Sequence, residues 1–234
     1  MTSRSGRGLA SRAGSTLLVL AAALASFTNA HSDAADDASP PPAPRFTPPA
    51  AAMFIDDFTS GDLEHWTADQ ASVWSVRNGM LRAVLPDGKQ LHSFLYAGDA
   101  SWADYAVEFD VCGIHGVDKG CAIRVQPGKK GLGVDLRGPD YDDLKLYVNQ
   151  FPVGSAAFSN PNGTWHHVLI EIRGRDRCTV AIDGHVVLDN RLHPPAPARG
   201  GIALSAYTGG VGNCTVYYDN VAVTPLTSSM ATSR

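Results

Sequence analysis

The residues best suited to chemistry are polar side chains that alternate with apolar ones in four consecutive segments. In the first segment, Glu108 and Asp110 alternate with Val107, Phe109 and Val111. An extended strand sends successive side chains to opposite faces, so the polar residues share one face if the four segments are neighbouring strands. Carboxylates and guanidinium groups on such a face can pair with the hydroxyl groups of a carbohydrate. The alternating polar residues are Glu108, Asp110, Arg124, Gln126, Asp135, Arg137, Lys145, Tyr147 and Asn149.

Carboxylates on this polar face are candidate acid and base groups, because general acid–base catalysis needs a positioned proton donor or acceptor. The candidates are Glu108, Asp110 and Asp135. For ligand contact, the strongest predictions are Arg124 and Asp135, which lie in the middle of strands. The alternative interpretation is that these residues only stabilise the sheet, because charges on any solvated sheet face pair across strands and stabilise the fold modestly. The residues expected to bind carbohydrate are Arg124, Gln126, Asp135, Arg137, Lys145 and Tyr147, with Trp165 and His92 as further candidates.

The elements that position these residues are predicted to be strands. From Phe54 to Leu226, apolar residues alternate with period two between Gly, Pro, Asn and Asp residues, and no helical period recurs. Asn78-Gly79 and Asp183-Gly184 are typical of tight hairpin turns. About a dozen antiparallel strands, each with one apolar face, need two packed sheets. We therefore expect an all-β fold, a two-sheet antiparallel β-sandwich of the jelly-roll type.

The chain divides into a leader, a linker, one folded domain and a tail. Three arginines precede an apolar run that ends at Ala30, which is typical of a signal peptide over residues 1–30. The Pro- and Ala-rich residues 31–52 are predicted to be a disordered linker, 53–226 the sandwich and 227–234 a disordered tail. The apolar run is too short to span a bilayer, so we expect no stable membrane insertion after cleavage. The protein is therefore expected to be secreted, periplasmic or at the cell surface.

The charge balance and the cysteines add two expectations. The formal net charge is −4, which argues against nucleic acid as a partner, because that affinity depends on clustered cations. In an oxidising compartment, four cysteines favour two disulfides. Cys112 and Cys121 suit the two ends of a hairpin, and Cys178 and Cys214 have the parity of inward-facing residues. The favoured pairing is thus 112–121 with 178–214.

Several motifs in sequence order resemble one family of concanavalin A-like lectin/glucanase domains. The opening Asp56-Asp57-Phe58 and the strands beginning at Asp104 and Gly163 resemble the DUF1080 group, the 3-keto-disaccharide hydrolase or family 16-like domains. The closing segments Gly200–Leu204 and Tyr218–Val221 are also similar to that group. The resemblance covers residues 54–226 and implies a concanavalin A-like sandwich. It also implies glycoside hydrolysis as an activity that such a domain can carry.

Two further expectations depend on this resemblance. Family 16 glucanases carry paired acidic residues on one strand, whereas the nearest run here, Glu108-Phe109-Asp110-Val111-Cys112, places cysteine where the second glutamate belongs. Family 16 chemistry at that strand is therefore not expected. Related sandwiches hold a structural Ca²⁺, and the matching groups here are Asp57, the Gly79 carbonyl and Asp219. The alternative is that both aspartates are turn residues. No organic cofactor is expected.

Three classes of function are compatible with these patterns. The leading hypothesis is carbohydrate recognition, with an oligo- or polysaccharide partner on the polar face of one sheet. The second is a glycoside hydrolase of the 3-keto-disaccharide hydrolase type that uses acidic residues of the same face. The third is an adhesion or scaffold module that binds protein.

Overall fold

A computed structural model describes residues 39–126, 128, 131–210 and 212–227. The predicted signal peptide, residues 31–38 of the predicted linker and residues 228–234 of the predicted tail lie outside the described residues. The described part contains no helix with the length and apolar character needed to cross a membrane. Its strands are β1 Phe54–Asp56, β2 Thr67–Ala68, β3 Trp74–Arg77, β4 Met80–Leu85, β5 His92–Ala97, β6 Tyr105–His115, β7 Asp118–Val125, β8 Leu132–Arg137, β9 Asp143–Val148, β10 Phe151–Ala157, β11 Trp165–Arg173, β12 Arg177–Ile182, β13 His185–Arg191, β14 Gly201–Tyr207 and β15 Cys214–Pro225.

The strands form two antiparallel sheets that pack face to face. Sheet A has the order β13-β12-β11-β6-β15-β4-β3, and β1 pairs with β15 beside this path. Sheet B has the order β10-β9-β8-β7-β14-β5-β2. The predicted all-β, two-sheet sandwich is therefore confirmed. The first and last strands also pair, with Asp56 opposite Val221.

The core lies between the sheets and is built from the apolar half of each alternating strand. In sheet A, β6 contributes Val107, Phe109 and Val111. In sheet B, β8 contributes Val134 and β9 contributes Leu146, both fully buried. Burying each such side chain contributes about 1.5–3 kcal/mol, so the alternation itself selects which face of every strand points inward.

Two hairpins have the turns predicted for them. Asn78 and Gly79 connect β3 to β4 with φ values of 54° and 73°. Asp183 and Gly184 connect β12 to β13 with φ values of 51° and 79°. Two successive residues with positive φ match the right-handed twist of the flanking strands, and Asn, Asp and Gly tolerate this conformation best.

The polar residues of the four alternating segments do not share one face. Strands β7, β8 and β9 are neighbours in sheet B, as predicted, but β6 lies in sheet A. The connection between His115 and Asp118 carries the chain from one sheet to the other. Glu108 and Asp110 are therefore on a different sheet from Asp135, and the prediction of one continuous four-strand array is wrong.

Arg124 is a second correction, because its side chain is fully buried rather than on the polar face. The residue has a φ of 51°, and the register of β7 with β14 shifts beside it. This bulge turns the guanidinium group toward buried acceptors. It donates to the carbonyl oxygens of Ala103 at 2.8 Å and Pro197 at 3.1 Å, and to Asp104 Oδ1 at 2.9 Å.

The cysteine prediction is also wrong, because all four cysteines are buried free thiols. Cys112 packs with Met80 and Tyr217 in sheet A, whereas Cys121 belongs to the main core in sheet B. Cys178 in β12 and Cys214 in β15 are separated by β11 and β6. Three strand spacings are roughly 14 Å, well beyond the reach of a disulfide.

The described part of the predicted linker lies against sheet A. Trp165 Nε1 donates to the Pro41 carbonyl oxygen at 2.8 Å, and Asn220 Nδ2 donates to the Pro44 carbonyl oxygen at 3.0 Å. Phe46 contacts the His167 ring, with centroids 6.2 Å apart. These contacts cover part of the outer face of sheet A.

The buried hydrogen bonds of Arg124 predict a structural role. Arg124→Met should lower the free energy of unfolding by about 3 kcal/mol, because it leaves buried carbonyl groups and Asp104 without their donor. Urea denaturation of both proteins measures the difference. The control is Arg191→Met, which removes an exposed ion pair with Asp176 and should change stability by less than about 0.5 kcal/mol. Equal effects of the two substitutions would contradict a structural role for Arg124.

Candidate functional site

The outer face of sheet B carries a trough, which we define by three rows of residues across β9, β8, β7, β14 and β5. The strand registers align each row, and in the second and third rows the residues of the middle strands β7 and β14 are small. Because taller side chains flank these small residues on both sides, the rows enclose a shallow channel. The rows are Asp143, Arg137, Asp118, Tyr207 and His92; Lys145, Asp135, Gly120, Ser205 and Phe94; and Tyr147, Gly133, Ala122, Ala203 and Tyr96.

Gly120 is required at the middle of the floor. Its φ is 154°, and a Cβ atom there would lie 2.0 Å from the Val134 carbonyl oxygen. Tyr218 from sheet A reaches the same point, where its hydroxyl accepts a hydrogen bond from Gly120 N at 2.9 Å. The Tyr218 hydroxyl also contacts the Ser205 carbonyl oxygen at 2.5 Å. A larger residue at position 120 would displace β8 from β7.

One wall of the trough is charged and held in place by side-chain pairing. Arg137 donates from Nε and Nη2 to the two carboxylate oxygens of Asp143, at 2.5 Å and 2.6 Å. The guanidinium carbon lies 4.3 Å from the centroid of the Tyr141 ring. Lys145 Nζ is 3.9 Å from Asp143 Oδ2. The Arg137 side chain is therefore fixed in orientation, and Lys145 is the more loosely held cation of this wall.

Two carboxylates face each other diagonally between β7 and β8, and both resist ionisation. Burial, followed by the charge of Asp118, raises the pKa of Asp135 to about 7, against the opposing effect of Arg137. Burial also raises the pKa of Asp118 to about 6, while Arg137 and Lys119 act in the opposite direction. Asp118 is only 9% exposed, and its Oδ1 atom has no hydrogen-bond partner among the described residues. The pair can therefore hold and release a proton near neutral pH.

The predicted ligand-binding residues lie in four different places. Asp135, Arg137, Lys145 and Tyr147 are together on one side of the trough, and His92 is at its far end. Gln126 lies beyond the trough, beside a small cavity of about 210 Å³. Trp165 is in β11 of sheet A, beside the Pro41 carbonyl oxygen, so the structure does not bring it to the trough. Arg124 is in the interior, as described above.

Several trough residues were missed by the sequence interpretation. Asp118 has the same parity as Arg124, so extending β7 backwards by six residues would have found it. Phe94, Tyr96 and Tyr207 were missed because the segments around them are not charged. Burial raises the pKa of the Tyr207 hydroxyl, as do the charges of Asp118 and Asp135, which indicates that this phenol lies near both carboxylates.

The catalytic candidates of β6 belong to an ion-pair cluster on sheet A. His167 Nδ1 is 2.8 Å from Asp110 Oδ1, and His167 Nε2 is 3.4 Å from Glu108 Oε2. These two carboxylates raise the pKa of His167 to about 9. Asn220 Nδ2 donates to the other oxygen of Asp110 at 2.6 Å. Glu108 and Asp110 are thus both paired with the His167 ring, and Asp110 also with the Asn220 amide, away from the trough.

The three groups expected to bind Ca²⁺ line one cleft on sheet A. The cleft has a volume of about 460 Å³, and Asp57, Gly79 and Asp219 all contribute to its wall. Asp57 Oδ1 accepts hydrogen bonds from Thr59, and Asp219 Oδ1 accepts one from Asn220 N, which leaves the second oxygen of each carboxylate for a ligand. Carboxylate and carbonyl oxygens suit a hard cation. Among the described residues, however, no group of three acidic, His or Cys side chains converges as a metal site would require.

The raised pKa values of the trough carboxylates predict how stability depends on pH. A folded state that binds protons more tightly than the unfolded state gains stability as the pH falls from about 7 toward 4. The side chain introduced by Asp135→Asn cannot ionise. Between pH 8 and pH 5, the free energy of unfolding of this variant should therefore change by about 1–2 kcal/mol less than that of wild type. Chemical denaturation at the two pH values measures this.

A matched substitution separates this effect from general charge removal. Asp140→Asn alters an exposed loop carboxylate and should keep the wild-type pH dependence. If Asp135→Asn also kept it, the carboxyl of Asp135 would ionise normally in the folded protein.

The fold is shared with known structures of low sequence identity. The carbohydrate-binding module CBM66 from Bacillus subtilis superposes with a TM-score of 0.56 and 18% identity, over 68% of this chain and 95% of that one. A lichenase from a mouse hindgut metagenome gives a TM-score of 0.58 and 15% identity, over 74% and 99% of the two chains. The alginate lyase Aly36B in complex with alginate trisaccharide gives 0.54 and 19%, over 71% and 90%.

These likenesses establish the jelly-roll fold of lectins and glucanases for this chain. Among curated proteins, no relative matches the sequence. Residues 53–224, which include both sheets and the whole trough, match the family described as the 3-keto-alpha-glucoside-1,2-lyase-like domain. The chain therefore belongs to the 3-keto-alpha-glucoside-1,2-lyase-like family.

Proposed function

We propose that the trough of sheet B binds a 3-keto-glycoside and cleaves it by elimination across C1 and C2. The observation that carries this proposal is the pair of carboxylates, Asp118 and Asp135, whose pKa values of about 6 and 7 lie near neutral pH. Groups of this kind can exchange protons with a substrate at physiological pH. Arg137 is fixed beside them, and Lys145 is directly opposite Asp135 in the register.

The reaction begins with removal of the proton on C2. A keto group at C3 makes this proton acidic, because the resulting negative charge is shared with the C3 oxygen. Asp135 takes the proton as a carboxylate, from its position in the middle row of the trough. The developing enolate oxygen is stabilised by a neighbouring cation. Arg137 lies two residues along β8 from Asp135, and Lys145 lies opposite Asp135 on β9.

The second half of the reaction releases the leaving group. The electron pair of the enolate forms the C1–C2 double bond, and the bond between C1 and the glycosidic oxygen breaks. The departing oxygen takes a proton from the Asp118–Asp135 pair, which holds the proton that Asp135 removed from C2. The products are an unsaturated 3-keto sugar and an alcohol, and no other reactant is consumed. Attack by water in the same site would instead give hydrolysis. The sugar product distinguishes the two reactions, because only elimination gives an unsaturated 3-keto sugar.

The alternative is carbohydrate binding without turnover. It is favoured by the likeness to the module CBM66 and by the number of paired donors and acceptors along the charged wall. Both alternatives use the trough, and only the first requires Asp135 to exchange a proton. The proposed location is outside the cytoplasm, in agreement with the predicted leader. Because the cysteines are buried free thiols, their folded arrangement does not depend on an oxidising compartment.

The role of Asp135 can be tested directly. Purified protein should convert a 3-keto-α-glucoside to an unsaturated 3-keto sugar, detected by mass spectrometry and by ultraviolet absorbance of the enone. Asp135→Asn should lower kcat by roughly 10²–10⁴-fold, the usual contribution of a general base. Its affinity for the unreacted glycoside should change much less.

The matched control is Glu108→Gln, which removes a carboxylate from sheet A and should keep wild-type kcat. Wild-type protein that binds the glycoside but leaves it unchanged would favour the binding alternative. Activity that depends on Glu108 and not on Asp135 would move the site to the other sheet.

We also propose that the cleft formed by Asp57, Gly79 and Asp219 holds a structural Ca²⁺. The support is that the residue after β1, the turn between β3 and β4 and the last strand β15 each bring an oxygen-bearing group to the same cleft. A cation there would link three segments that are distant in sequence. It would affect the stability of the fold rather than the reaction, because the cleft is on sheet A and the trough is on sheet B.

Calcium should therefore raise the melting temperature of metal-free protein. At 100 times the dissociation constant, binding contributes about 2.7 kcal/mol, which corresponds to a rise of roughly 5–10 °C for a domain of this size. Asp219→Asn should abolish most of the calcium-dependent rise, whereas Asp189→Asn, an exposed residue of β13, should keep it. A melting temperature that does not respond to millimolar CaCl₂ would contradict the calcium site and indicate that Asp57 and Asp219 are turn residues.

A further inference from the structure

The wall of the trough opposite the charged residues is a continuous strip of aromatic rings. His92, Phe94 and Tyr96 are alternate residues of β5, so all three project from the same face. Their ring centroids are 5.6 Å apart for His92 and Phe94, and 6.1 Å apart for Phe94 and Tyr96. Tyr207 extends the strip on β14, with its centroid 6.3 Å from that of His92. We name these four residues the ring strip.

The ring strip is accessible to solvent. Phe94, Tyr96 and Tyr207 are each partly exposed, and His92 is exposed. The residues next to Phe94 and Tyr96 on β14 are only Ser205 and Ala203, which are too small to cover the rings. The outer neighbour β2 pairs with β5 only through Thr67 and Ala68. The ring faces are thus available to a ligand that lies in the trough.

The distance across the trough determines which part of a ligand could contact the rings. Asp135, Gly120, Ser205 and Phe94 are directly aligned on β8, β7, β14 and β5. Three strand spacings separate Asp135 from Phe94, which is roughly 14 Å. A single pyranose ring is much shorter than this. The sugar that reacts at Asp135 therefore cannot also stack on Phe94, but the group attached to its C1 oxygen can.

We propose that Phe94 and Tyr96 form a subsite for the leaving group and select glycosides with a planar aromatic aglycone. This inference rests on the proposed function, because it takes the reacting sugar to lie at Asp135. Aromatic rings bind flat apolar faces in offset or edge-on arrangements, which contribute about 0.5–1.5 kcal/mol beyond the area that they bury.

An aromatic aglycone fits the chemistry of the strip better than a second sugar. Hydroxyl groups of a sugar need hydrogen-bond partners, and two polar groups of the strip are already paired. The Tyr207 hydroxyl donates to Gln90 Oε1, and Gln70 Nε2 donates to the His92 carbonyl oxygen at 2.7 Å. Phe94, the central ring, has no polar atom in its side chain. The charged wall near Asp135 provides the hydrogen bonds, and the ring strip provides apolar contact.

The test uses glycosides that lack a 3-keto group and therefore cannot react by the proposed elimination. Dissociation constants of phenyl α-glucoside, methyl α-glucoside and an α-linked glucose disaccharide are measured by NMR titration. Wild-type protein should bind the phenyl glycoside about fivefold more tightly than the methyl glycoside. Phe94→Ala should remove this preference while the methyl glycoside binds within about twofold of wild type.

Two further variants separate ring contact from general disturbance. Phe94→Leu keeps an apolar side chain without a ring, so it should also lose most of the preference. Phe151→Ala removes a ring that is 66% exposed on β10, five strands from β5, and should keep the wild-type preference. Melting temperatures confirm that each variant is folded.

The outcomes distinguish this proposal from the proposed function. Equal affinities for phenyl and methyl glycosides in wild type, or equal losses for both in Phe94→Ala, would overturn the leaving-group subsite. A disaccharide that binds more tightly than the phenyl glycoside would overturn the choice of an aromatic aglycone. Binding of no glycoside would overturn both proposals. A phenyl preference that depends on Phe94, combined with no turnover of 3-keto-glycosides, would support the subsite and refute only the reaction.

Discussion

The trough depends on one constraint, the register that aligns β7 with β8 and β14. Cys121, Val134 and Leu204 face one another in the core, and this apolar contact fixes the pairing. A shift by one residue would turn every side chain of β7 to the other face. The same register places Gly120 opposite Asp135 on the outer face. Core packing thus determines which residues meet in the trough.

The pKa values of Asp118 and Asp135 are set by burial, which raises them, and by the charge of Arg137, which lowers them. Arg137 is the cation that most favours ionisation of Asp118 and Asp135, but its Nε and Nη2 groups are already bound to Asp143. Its charge lowers the pKa of each buried carboxylate without offsetting the effect of burial. A carboxylate pair beside a free guanidinium group would ionise at a lower pH. The bidentate pair with Asp143 therefore keeps Asp118 and Asp135 able to exchange protons near neutral pH.

The sequence predicted the elements better than their arrangement in space. Alternation identified β8 and β9 and placed Asp135, Arg137, Lys145 and Tyr147 on one face, because parity within a strand is a local property. It could not assign β6 to the other sheet, since Glu108 and Asp110 have the same local pattern as Asp135. It also could not detect the bulge at Arg124, where a single positive φ reverses the direction of the side chain.

The carboxylates on the outer faces of the two sheets differ in their partners. On sheet A, Asp110 is paired with His167 and Asn220, and the backbone of residues 41–44 accepts hydrogen bonds from Trp165 and Asn220. On sheet B, Asp118 keeps an unpartnered buried oxygen among the described residues. Leaving such an oxygen unpaired costs about 1–3 kcal/mol, which a hydroxyl donor from a ligand would recover. The unpaired oxygen of Asp118 thus supports the trough as the proposed ligand site.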